Sequence, residues 1–439
     1  MNLELKELNR KLEQSNPAVF GLLSEHGKKL IFPQHGIIKQ TQEAKQAKIN
    51  ATIGIAKDDD NSIMTLEETN KIVGLKPEQI FPYESCYGNN TLRKIWQKLI
   101  LQKNPDLKSN ISLPVISNGI TNGLFTAGLL FVSPNDEIIL PNTFWENYSL
   151  IFENLFSAKI RTYNQFNDSK GLKPLANEDN FNLLEFEKTL TKSKTKKKIV
   201  LLNFPNNPTG YTISKKEAEQ IVEIIKKSAD LGNKILVLCD DAYFGMYYED
   251  ECFNQSIFSL LSDISENVLA VKLDGASKEA FFFGLRLGFI TFGGKNLNNE
   301  AYFALENKTA AAMRATISSN SNLAQNLLIK ELESKESEAK KIENIKILEK
   351  RYQKIKTILQ DKKFEQYFTP LPFNSGFFFC LKLKNIDAEN LRKILLEKYQ
   401  TGVISSGKDL IRISYSSVPY EQLEQLIENI YLACATDQA

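Results

Sequence analysis

Residues 199–243 read IVLLNFPNNPTGYTISKKEAEQIVEIIKKSADLGNKILVLCDDAY. This stretch holds two short apolar runs, Ile199–Leu202 and Ile235–Leu238, with apolar residues at helical spacing between them. Ser214 and Glu217 have the spacing of a capping box, which marks the start of the intervening helix. A strand, a helix and a second strand in that order are typical of a parallel pair with a crossover helix, so the stretch predicts an α/β fold.

Short apolar runs and helical patterns continue to alternate along the middle of the chain. Runs at Glu137–Leu140, Val268–Val271 and Phe289–Phe292 predict further strands. This alternation indicates a mostly parallel sheet covered by helices. A chain of 439 residues with 42% hydrophobic residues exceeds the size at which single cores usually stop growing, so two domains are expected.

The two ends of the chain have a different character. The stretch Glu331–Lys363 is densely charged with a sparse apolar stripe, which predicts one long, partly exposed helix that links domains. The N-terminal sequence MNLELKELNRKLEQ predicts a charged amphipathic helix. The C-terminal part predicts strands at Gly376–Leu383 and Leu410–Tyr415, a helix at Ala388–Tyr399 and a final helix from Tyr420.

Composition excludes several classes of partner. Lys and Arg number 55 against 53 Asp and Glu, so neither nucleic acid nor an acidic membrane surface is indicated. The five cysteines form no CxxC pair and the two histidines lie far from them, so neither a metal site nor a disulfide framework is expected. No apolar stretch is long enough to cross a bilayer, and a cytoplasmic protein with small-molecule substrates is expected.

The residues that follow the predicted strands carry unusual chemistry. Ligands of open α/β sheets bind beyond the carboxyl ends of the strands, where neighbouring strands bring their last residues together. An aromatic ring, an amide, a carboxylate and an amine are therefore expected to converge on one crevice. They come from the segments Asn142–Trp145, Asn203–Gly210, Asp240–Tyr243 and Leu273–Lys278.

Lys278 is the first candidate catalytic residue. A lysine after a buried strand usually just reaches solvent. Here Gly275, Ala276 and Ser277 precede it, and these small residues leave room for a ligand. Arg286 supplies a second cation, and a lysine that forms a Schiff base together with a guanidinium for a phosphate group is what pyridoxal 5'-phosphate (PLP) requires.

Two polar positions suit the rest of such a cofactor. Asp240 follows a buried strand and is either a cap or turn residue or the partner of a protonated pyridine nitrogen. Asp241 points the other way along an extended chain, so only one of the two carboxylates should face the ligand. Asn207 either belongs to a tight turn or donates to the phenolate oxygen of the cofactor, with Tyr243 as a second donor.

Taken together, the ordered motifs resemble a known family. Asn206-Asn207-Pro208-Thr209-Gly210, Asp240-x-Ala242-Tyr243, Ser277-Lys278 and Arg286 occur in the order and spacing of fold-type I PLP-dependent aminotransferases of class I and II, of the aspartate and aromatic kind. The resemblance extends over nearly the whole chain. It implies a large domain over residues 50–330, with a mostly parallel seven-stranded sheet flanked by helices, and a smaller α+β domain from residues 1–49 and 331–439.

By the same resemblance, the cofactor contacts can be placed. The segment Ser117–Thr121 opens a helix whose amides, with the Thr121 hydroxyl, would hold the phosphate. Trp145, otherwise a core residue, would stack on the pyridine ring, and Tyr83 would reach the phosphate of the partner subunit, which implies a homodimer with shared active sites. The full implied cofactor set is Ile120, Thr121, Trp145, Asn207, Asp240, Tyr243, Ser277, Lys278, Arg286 and Tyr83 of the partner.

The resemblance also implies substrate contacts. Arg412 would fork onto the substrate α-carboxylate, and Gly54 lies where the substrate loop passes the ligand. Arg314 matches the arginine that binds the distal carboxylate in dicarboxylate-specific members, although it could equally lie on a helix surface. Gly275 is a departure, because the family usually has a hydroxyl residue there, and one phosphate bond would be missing.

The expected reaction moves an amino group from an L-amino acid to a 2-oxo acid, with 2-oxoglutarate as the expected acceptor, by a ping-pong mechanism. The donor stays open. Other PLP reactions on the same framework, such as β-elimination by a C–S lyase, β-decarboxylation or the cyclopropane formation of an ACC synthase, would use the same residues. A non-catalytic sensor is a third alternative, but the segment before Ile49 is too short for a winged-helix DNA-binding domain.

Overall fold

The central sheet and the elements around it are seen in a computed structural model. It describes residues 37–67, 75–167, 180–193 and 195–436, with positions 6, 10, 13 and 14 in addition. The predicted N-terminal amphipathic helix lies outside the described residues apart from those four positions.

Strands and helices are numbered here along the described chain. The strands are β1 (Ile49–Asn50), β2 (Val115–Ser117), β3 (Glu137–Pro141), β4 (Lys159–Tyr163), β5 (Lys197–Asn203), β6 (Lys234–Asp240), β7 (Val268–Gly275), β8 (Gly288–Gly294), β9 (Phe368–Pro370), β10 (Phe378–Leu383), β11 (Thr401–Gly402), β12 (Ile404–Ser406) and β13 (Leu410–Ser414). The α-helices are α1 (Ile37–Glu43), α2 (Pro77–Ile80), α3 (Asn90–Lys103), α4 (Gly119–Phe131), α5 (Leu183–Lys192), α6 (Lys215–Asp230), α7 (Phe258–Leu261), α8 (Ala276–Glu279), α9 (Asn299–Thr316), α10 (Asn322–Glu333), α11 (Lys335–Ile358), α12 (Ala388–Tyr399) and α13 (Leu423–Thr436). A π-helical segment spans Ser149–Leu155, and short 3-10 turns span Ala44–Gln46, Lys362–Phe364, Tyr415–Ser417 and Tyr420–Gln422.

The central sheet has seven strands in the order β2-β8-β7-β6-β5-β3-β4. Strands β3 to β7 run parallel to one another, and β8 pairs antiparallel with both β7 and β2. The five strands expected from the sequence are confirmed. They form long apolar runs because helices cover both faces, so two hydrophobic clusters lie on opposite sides of the sheet.

The crossover helix α6 begins where the sequence predicts. Ser214 caps it, accepting a hydrogen bond from the Glu217 amide at 3.2 Å, while the Glu217 carboxylate accepts from the Ser214 amide at 2.8 Å. These two bonds form the capping box, which satisfies amides that the first helical turn would leave without partners.

Two smaller sheets follow in the C-terminal part. Strands β12, β13, β10 and β9 form an antiparallel sheet in that order, and β1 pairs parallel with β11. The helix α12 has the predicted bounds. The final helix starts at Leu423, after the 3-10 turn that contains Tyr420.

Two predicted elements need correction. The charged stretch is not one helix from Glu331 to Lys363, because α10 ends and α11 begins around Ser334, whose hydroxyl accepts from the Ser337 amide at 3.2 Å. The strand expected from Gly376 starts at Phe378, since Gly376 adopts a φ of 72° that an extended strand does not allow.

Gly210 joins the central sheet to the C-terminal sheet. It has a φ of 72°, and its carbonyl accepts hydrogen bonds from the Asn374 and Ser375 amides, both at 2.9 Å. A side chain on Gly210 would overlap the Phe378 carbonyl oxygen. The loop after β5 is therefore held tightly against the start of β10, which places the C-terminal sheet over the carboxyl ends of the parallel strands.

In the part of the chain that the structure describes, no helix combines the length and apolar character that a membrane crossing needs.

Candidate active site

One cavity of about 290 Å³ lies at the carboxyl ends of β5, β6 and β7. It brings together eleven of the thirteen residues that the sequence singled out for cofactor or substrate. Those eleven are Gly54, Ile120, Thr121, Trp145, Asn207, Asp240, Tyr243, Ser277, Lys278, Arg286 and Arg412.

Asp240 ends β6 and is buried, with 2% of its surface exposed. The Tyr148 hydroxyl donates to its Oδ2 at 2.6 Å, and the Ala242 amide donates to its Oδ1 at 3.1 Å. Burial raises the pKa of Asp240, whereas these two hydrogen bonds and the nearby Lys278 and Lys272 ammonium groups oppose that rise. The next carboxylate, Asp241, turns away to form an ion pair with Lys272, so only one of the two lines the cavity, as expected from strand alternation.

Lys278 lies on the short helix that follows β7. Its ammonium nitrogen is 5.1 Å from the centre of the Tyr243 ring. The pKa of Lys278 is lowered to about 8, mainly because burial disfavours the ammonium form; Asp240 opposes this effect and Arg286 adds to it. More of the amine is therefore neutral near pH 7 than in an ordinary lysine, and the neutral amine is the form that attacks a carbonyl carbon.

An anion cradle forms one end of the cavity. Helix α4 starts at Gly119, which has a φ of 75°, and a Cβ there would lie 2.5 Å from Nη2 of Arg286. The guanidinium therefore lies directly against the start of the helix, where backbone amides favour negative charge. The hydroxyl residues Thr121 and Ser277 line the same cavity. This is a set of donors suited to a phosphate group.

The departure at Gly275 has a packing reason. A Cβ at Gly275 would lie 2.6 Å from the Leu287 carbonyl oxygen and 3.1 Å from the Gly288 Cα. Gly275 pairs with Gly288 across β7 and β8, and a Cβ on Gly288 would in turn approach the Gly119 carbonyl carbon at 2.6 Å. Three backbone segments meet so closely here that a hydroxyl side chain has no room.

Arg412 forms the other end of the cavity. It projects from β13 with 4% of its surface exposed, and it donates to the Asn207 Oδ1 at 3.3 Å and the Thr52 carbonyl at 3.0 Å. Its guanidinium lies 4.5 Å from the centre of the Phe378 ring. Among the described residues no carboxylate lies within ion-pair distance of Arg412, and its Nε has no hydrogen-bond partner. A buried cation without a counter-ion is costly, so the site is suited to an anionic ligand.

Two predicted residues do not line the cavity of their own chain. Tyr83 is 94% exposed. Arg314 is exposed on α9 and donates to the Ser318 hydroxyl at 2.8 Å, which matches the helix-surface interpretation within one chain.

The cavity also contains residues that sequence reasoning missed. Asn203 donates to the Asp240 carbonyl at 2.8 Å and accepts from the Asn207 amide at 2.8 Å, so one side chain orients both neighbours. Tyr148 holds the Asp240 carboxylate. Two features of the sequence could have identified these residues. Asn203 lies at the end of a predicted strand, and Tyr148 follows Trp145 by three residues. Thr41, Thr52, Ile53, Ala242 and Phe378 complete the lining.

The residues present fit PLP. The cradle at Gly119 and Arg286 suits a phosphate because Gly119, which has no Cβ, lets the guanidinium lie directly against the start of the helix. Asp240 suits a protonated ring nitrogen, and Asn207 with Tyr243 suits a phenolate oxygen. Trp145, which crosses Tyr148 edge-on at 5.6 Å, offers an aromatic wall, and Lys278 is the amine for a covalent bond.

Comparison with known proteins agrees with this geometry. Residues 47–430 match the sequence model of aminotransferase class I and II. An aspartate aminotransferase of Sulfurisphaera tokodaii is 27% identical over 394 residues, which cover 87% of this chain and 88% of that protein.

Solved structures show the same fold. The crystal structure of an aminotransferase from Anaerococcus prevotii superposes with a TM-score of 0.80 at 23% identity, and covers 94% of this chain and 98% of that one. A Pyrococcus horikoshii kynurenine aminotransferase, solved in complex with PMP, superposes with a TM-score of 0.76 at 15% identity, and covers 96% of this chain and 98% of that one. The chain belongs to the class I and II aminotransferases and is a PLP-dependent transaminase.

Proposed function

We propose that this transaminase moves the amino group of an L-amino acid to 2-oxoglutarate in a ping-pong cycle. The observation that supports this most directly is the buried Arg412 guanidinium, which has no ion-pair partner among the described residues and lines the same cavity as Lys278. A carboxylate bound there places the α-carbon of the amino acid between the guanidinium and the amine.

Each residue of the cavity then has its own task. PLP, when bound, supplies the electron sink for the α-carbon. Arg412 binds and orients the substrate carboxylate, and Asn207 fixes the guanidinium. Lys278 moves the α-proton, a task for which a pKa of about 8 is well matched because the amine can both accept and return a proton near neutral pH. Asp240 retains the proton on the ring nitrogen.

We further propose a homodimer in which Tyr83 completes the partner's phosphate site. Its exposed side chain cannot serve the cavity of its own chain, and the neighbouring Phe81 is also 79% exposed. Two large exposed rings this close together are typical of an interaction surface. In the same assembly Arg314 would serve the distal carboxylate of a dicarboxylic substrate. The names of relatives such as the Sulfurisphaera aspartate aminotransferase favour that class of donor.

The division into a large domain over residues 50–330 and a small domain from residues 1–49 and 331–439 is proposed with it. It is supported by the residue ranges of the sheets, because the seven central strands lie within Val115–Gly294 and the antiparallel sheet within Phe368–Ser414. A cytoplasmic location is proposed as well, since no disulfide joins the described cysteines.

The test is a panel of L-amino acids with 2-oxoglutarate as acceptor, in which glutamate formation is followed with wild-type protein and Arg412→Gln. We expect the variant to lose on the order of 100-fold in kcat/KM, because truncating one partner of a buried, charged contact costs several kcal/mol. Arg392→Gln is the matched control. Arg392 is also a buried arginine, but its carboxylate partners lie outside the cavity: Glu389, at 2.8 and 2.7 Å, and Glu43, at 2.7 Å. Its loss should therefore leave kcat/KM of the folded protein unchanged.

Two outcomes would contradict the proposal. One is wild-type turnover by Arg412→Gln. The other is a wild-type protein that releases ammonia from amino acids without any acceptor, which would indicate an elimination. The proposed contact between Arg314 and the distal carboxylate of the donor has its own test. If Arg314→Ala left the turnover of aspartate and glutamate unaltered, the proposal of a dicarboxylic donor would be wrong.

A further inference from the structure

A short hairpin enters the cavity beside Arg412. We call it the cavity hairpin, and it spans residues 51–66. Three residues of its first arm, Thr52–Gly54, line the cavity. The second arm folds back along the first, so that the Met64 amide donates to the Ala56 carbonyl at 3.1 Å. The turn that joins the two arms is exposed to solvent.

The first arm lies against the groups that border the proposed carboxylate site. Arg412 donates to the Thr52 carbonyl at 3.0 Å. A Cβ on Gly54 would lie 3.0 Å from Cζ of the Phe378 ring, and the centre of that ring is 4.5 Å from the Arg412 guanidinium. A displacement of the cavity hairpin would therefore disturb both Arg412 and the space in which the substrate binds.

Arg351, on the long helix α11, joins the turn of the hairpin to the segment that follows β13. Its side chain is completely buried. Nη2 donates to Asp59 Oδ1 and Nη1 donates to the Ser416 carbonyl, both at 2.8 Å. The same carbonyl accepts from the Lys57 amide at 2.9 Å, and the same carboxylate oxygen accepts from the Tyr420 amide at 3.0 Å. One guanidinium thus connects the cavity hairpin with the segment that continues the strand of Arg412.

A second side chain of α11 reaches the other arm of the hairpin. Asn344 lies two helical turns before Arg351, so the two side chains project from the same face of the helix. Asn344 is buried, and its amide donates to the Thr65 carbonyl at 3.2 Å. Helix α11 therefore contacts both the turn and the second arm of the cavity hairpin.

Folding stability alone does not explain a buried guanidinium at this position. The Arg351 Nε has no hydrogen-bond partner among the described residues, and the burial of a charge is costly. The Asp59 side chain is 61% exposed, and ion pairs that reach solvent contribute little to the free energy of unfolding. An apolar side chain would pack α11 at least as well. A requirement for a fixed hairpin accounts for the arginine.

We propose that Arg351 is a positioning residue for the substrate: through Asp59 it fixes the cavity hairpin, so that the first arm stays beside Arg412. This inference rests on the proposed function, in which Arg412 binds the substrate carboxylate. The cofactor contacts at Lys278 and Asp240 come from other elements, so the hairpin acts on the binding of substrates and not on the binding of the cofactor.

The first test compares the holoenzymes of wild type and Asp59→Asn. This variant removes the ion pair with little change of shape and leaves an oxygen for the Tyr420 amide. We expect KM for 2-oxoglutarate, and for the donor that the amino-acid panel identifies, to rise about tenfold each, because the hairpin is no longer held in the binding position. At saturating substrate kcat should stay within about twofold of wild type. A purely structural role would lower the unfolding midpoint and leave KM unchanged.

Asp60→Asn is the matched control. Asp60 lies in the same exposed turn, but its carboxylate accepts from the Ser62 amide at 2.8 Å, within the turn. The control removes the same charge from the same turn without breaking the contact with Arg351, so KM should not change. Equal KM values in wild type and Asp59→Asn, or an equal rise in both variants, would overturn the proposal.

A double-mutant cycle measures whether Asp59 acts through Arg351. In an Arg351→Met background, Asp59→Asn should raise KM by no more than about twofold further, because its partner is already lost. A further tenfold rise would overturn the proposal. If Arg351→Met does not fold, the comparison of Asp59→Asn with Asp60→Asn decides alone.

A measurement without turnover separates this inference from the proposed function. Hydrogen–deuterium exchange of the peptide that covers residues 51–66 is recorded for the three holoenzymes, together with their affinity for pyridoxal phosphate. We expect the Lys57 and Met64 amides to exchange about tenfold faster in Asp59→Asn than in wild type or Asp60→Asn, with cofactor affinity within about twofold.

If the wild-type protein does not transaminate, the proposed function fails, but these exchange rates still decide whether Arg351 holds the hairpin. Equal exchange rates in the three proteins would overturn the inference. A loss of cofactor affinity that parallels the rise in KM would overturn it as well, because the hairpin would then not act on the substrates alone.

Discussion

The hydrogen bond between Tyr148 and Asp240 is the residue-scale contact that most affects the charge of the site. Burial and the adjacent carboxylate raise the pKa of Tyr148, so its hydroxyl keeps the proton that it donates at 2.6 Å. A hydrogen bond to a charged group contributes about 1.5–3 kcal/mol. Tyr148 therefore stabilises the ionised form of Asp240 against the effect of burial.

Tyr148→Phe should lower kcat by about tenfold and move the acid limb of its pH profile to higher pH. The reason is that Asp240 acts as a carboxylate, and the loss of a donor raises its pKa. Tyr163→Phe is the control, since the Tyr163 hydroxyl is buried without a hydrogen-bond partner among the described residues. Steady-state rates across the pH range give the comparison, and equal profiles for the two variants would refute the role of Tyr148.

The amine of Lys278 gives a second residue-scale prediction. In the cofactor-free protein it should react with an amine-labelling reagent at a rate that levels off above about pH 8, because its pKa is lowered to about 8. A short lysine peptide in the same tube, with a pKa of about 10.4, should continue to gain reactivity beyond that point. Mass spectrometry of the Lys278 segment measures the labelling, and a Lys278 curve that follows the free peptide would contradict the lowered pKa.

For individual residues, the sequence predicted the face on which a side chain lies better than the residue that it contacts. Strand alternation separated Asp240 from Asp241 correctly, because successive side chains of an extended chain point to opposite faces. Arg412 was identified only through the resemblance, since nothing in its local sequence distinguishes it from any other arginine on a strand. The bond from Tyr148 joins residues 92 positions apart, and no local pattern encodes it.

At the scale of elements, the loop after β5 connects the central sheet to the C-terminal sheet that covers the cavity. Gly210 lies there with a positive φ and with the backbone of the C-terminal sheet directly against it. Gly232, after the crossover helix α6, has a similar φ of 80°, but a Cβ added there would meet no described atom within 4 Å. Substitutions at the two glycines therefore distinguish the cost of the backbone conformation, which both share, from the cost of the close contact, which only Gly210 has.

Gly232→Ala should cost about 1 kcal/mol of folding free energy, which is the strain of a left-handed alanine. Gly210→Ala should cost about 3 kcal/mol or more, because the Phe378 backbone has to move as well, and it should weaken substrate binding since β10 pairs with the strand that carries Arg412. Urea unfolding midpoints and KM measure the two effects. Equal losses in both variants would show that the contact with the C-terminal sheet is not tight.

The predictability of the elements follows their burial. Strands covered on both faces form continuous apolar runs and were found, whereas β2 has only three residues and β4, KIRTY, is a polar edge strand. The break at Ser334 was missed because a helical charge pattern continues on both sides of it. Ser334 caps the helix through the amide of Ser337, three residues later, but serines also occur within exposed helices.

At the scale of the whole molecule, the shared active site is the main prediction. Neither Lys278→Ala nor Tyr83→Ala alone should be active, but hybrid dimers of the two should regain about half of the wild-type activity per dimer. In a two-fold dimer, one of the two sites then receives both intact residues. Activity is measured on hybrids purified with two different affinity tags. Inactive hybrids would show that Tyr83 serves its own chain, and an active Tyr83→Ala homodimer would show that it serves no site.

The proposed reaction transfers one amino group per active site, and Lys278 carries the proton. The most direct measurement mixes the purified holoenzyme with a donor amino acid and no acceptor, and quantifies the oxo acid and ammonia released per active site. We predict about one equivalent of oxo acid, no ammonia, a loss of the resting cofactor absorbance that 2-oxoglutarate restores, and no reaction in Lys278→Ala. Ammonia released continuously in excess of the active sites, or full activity of Lys278→Ala, would contradict the account.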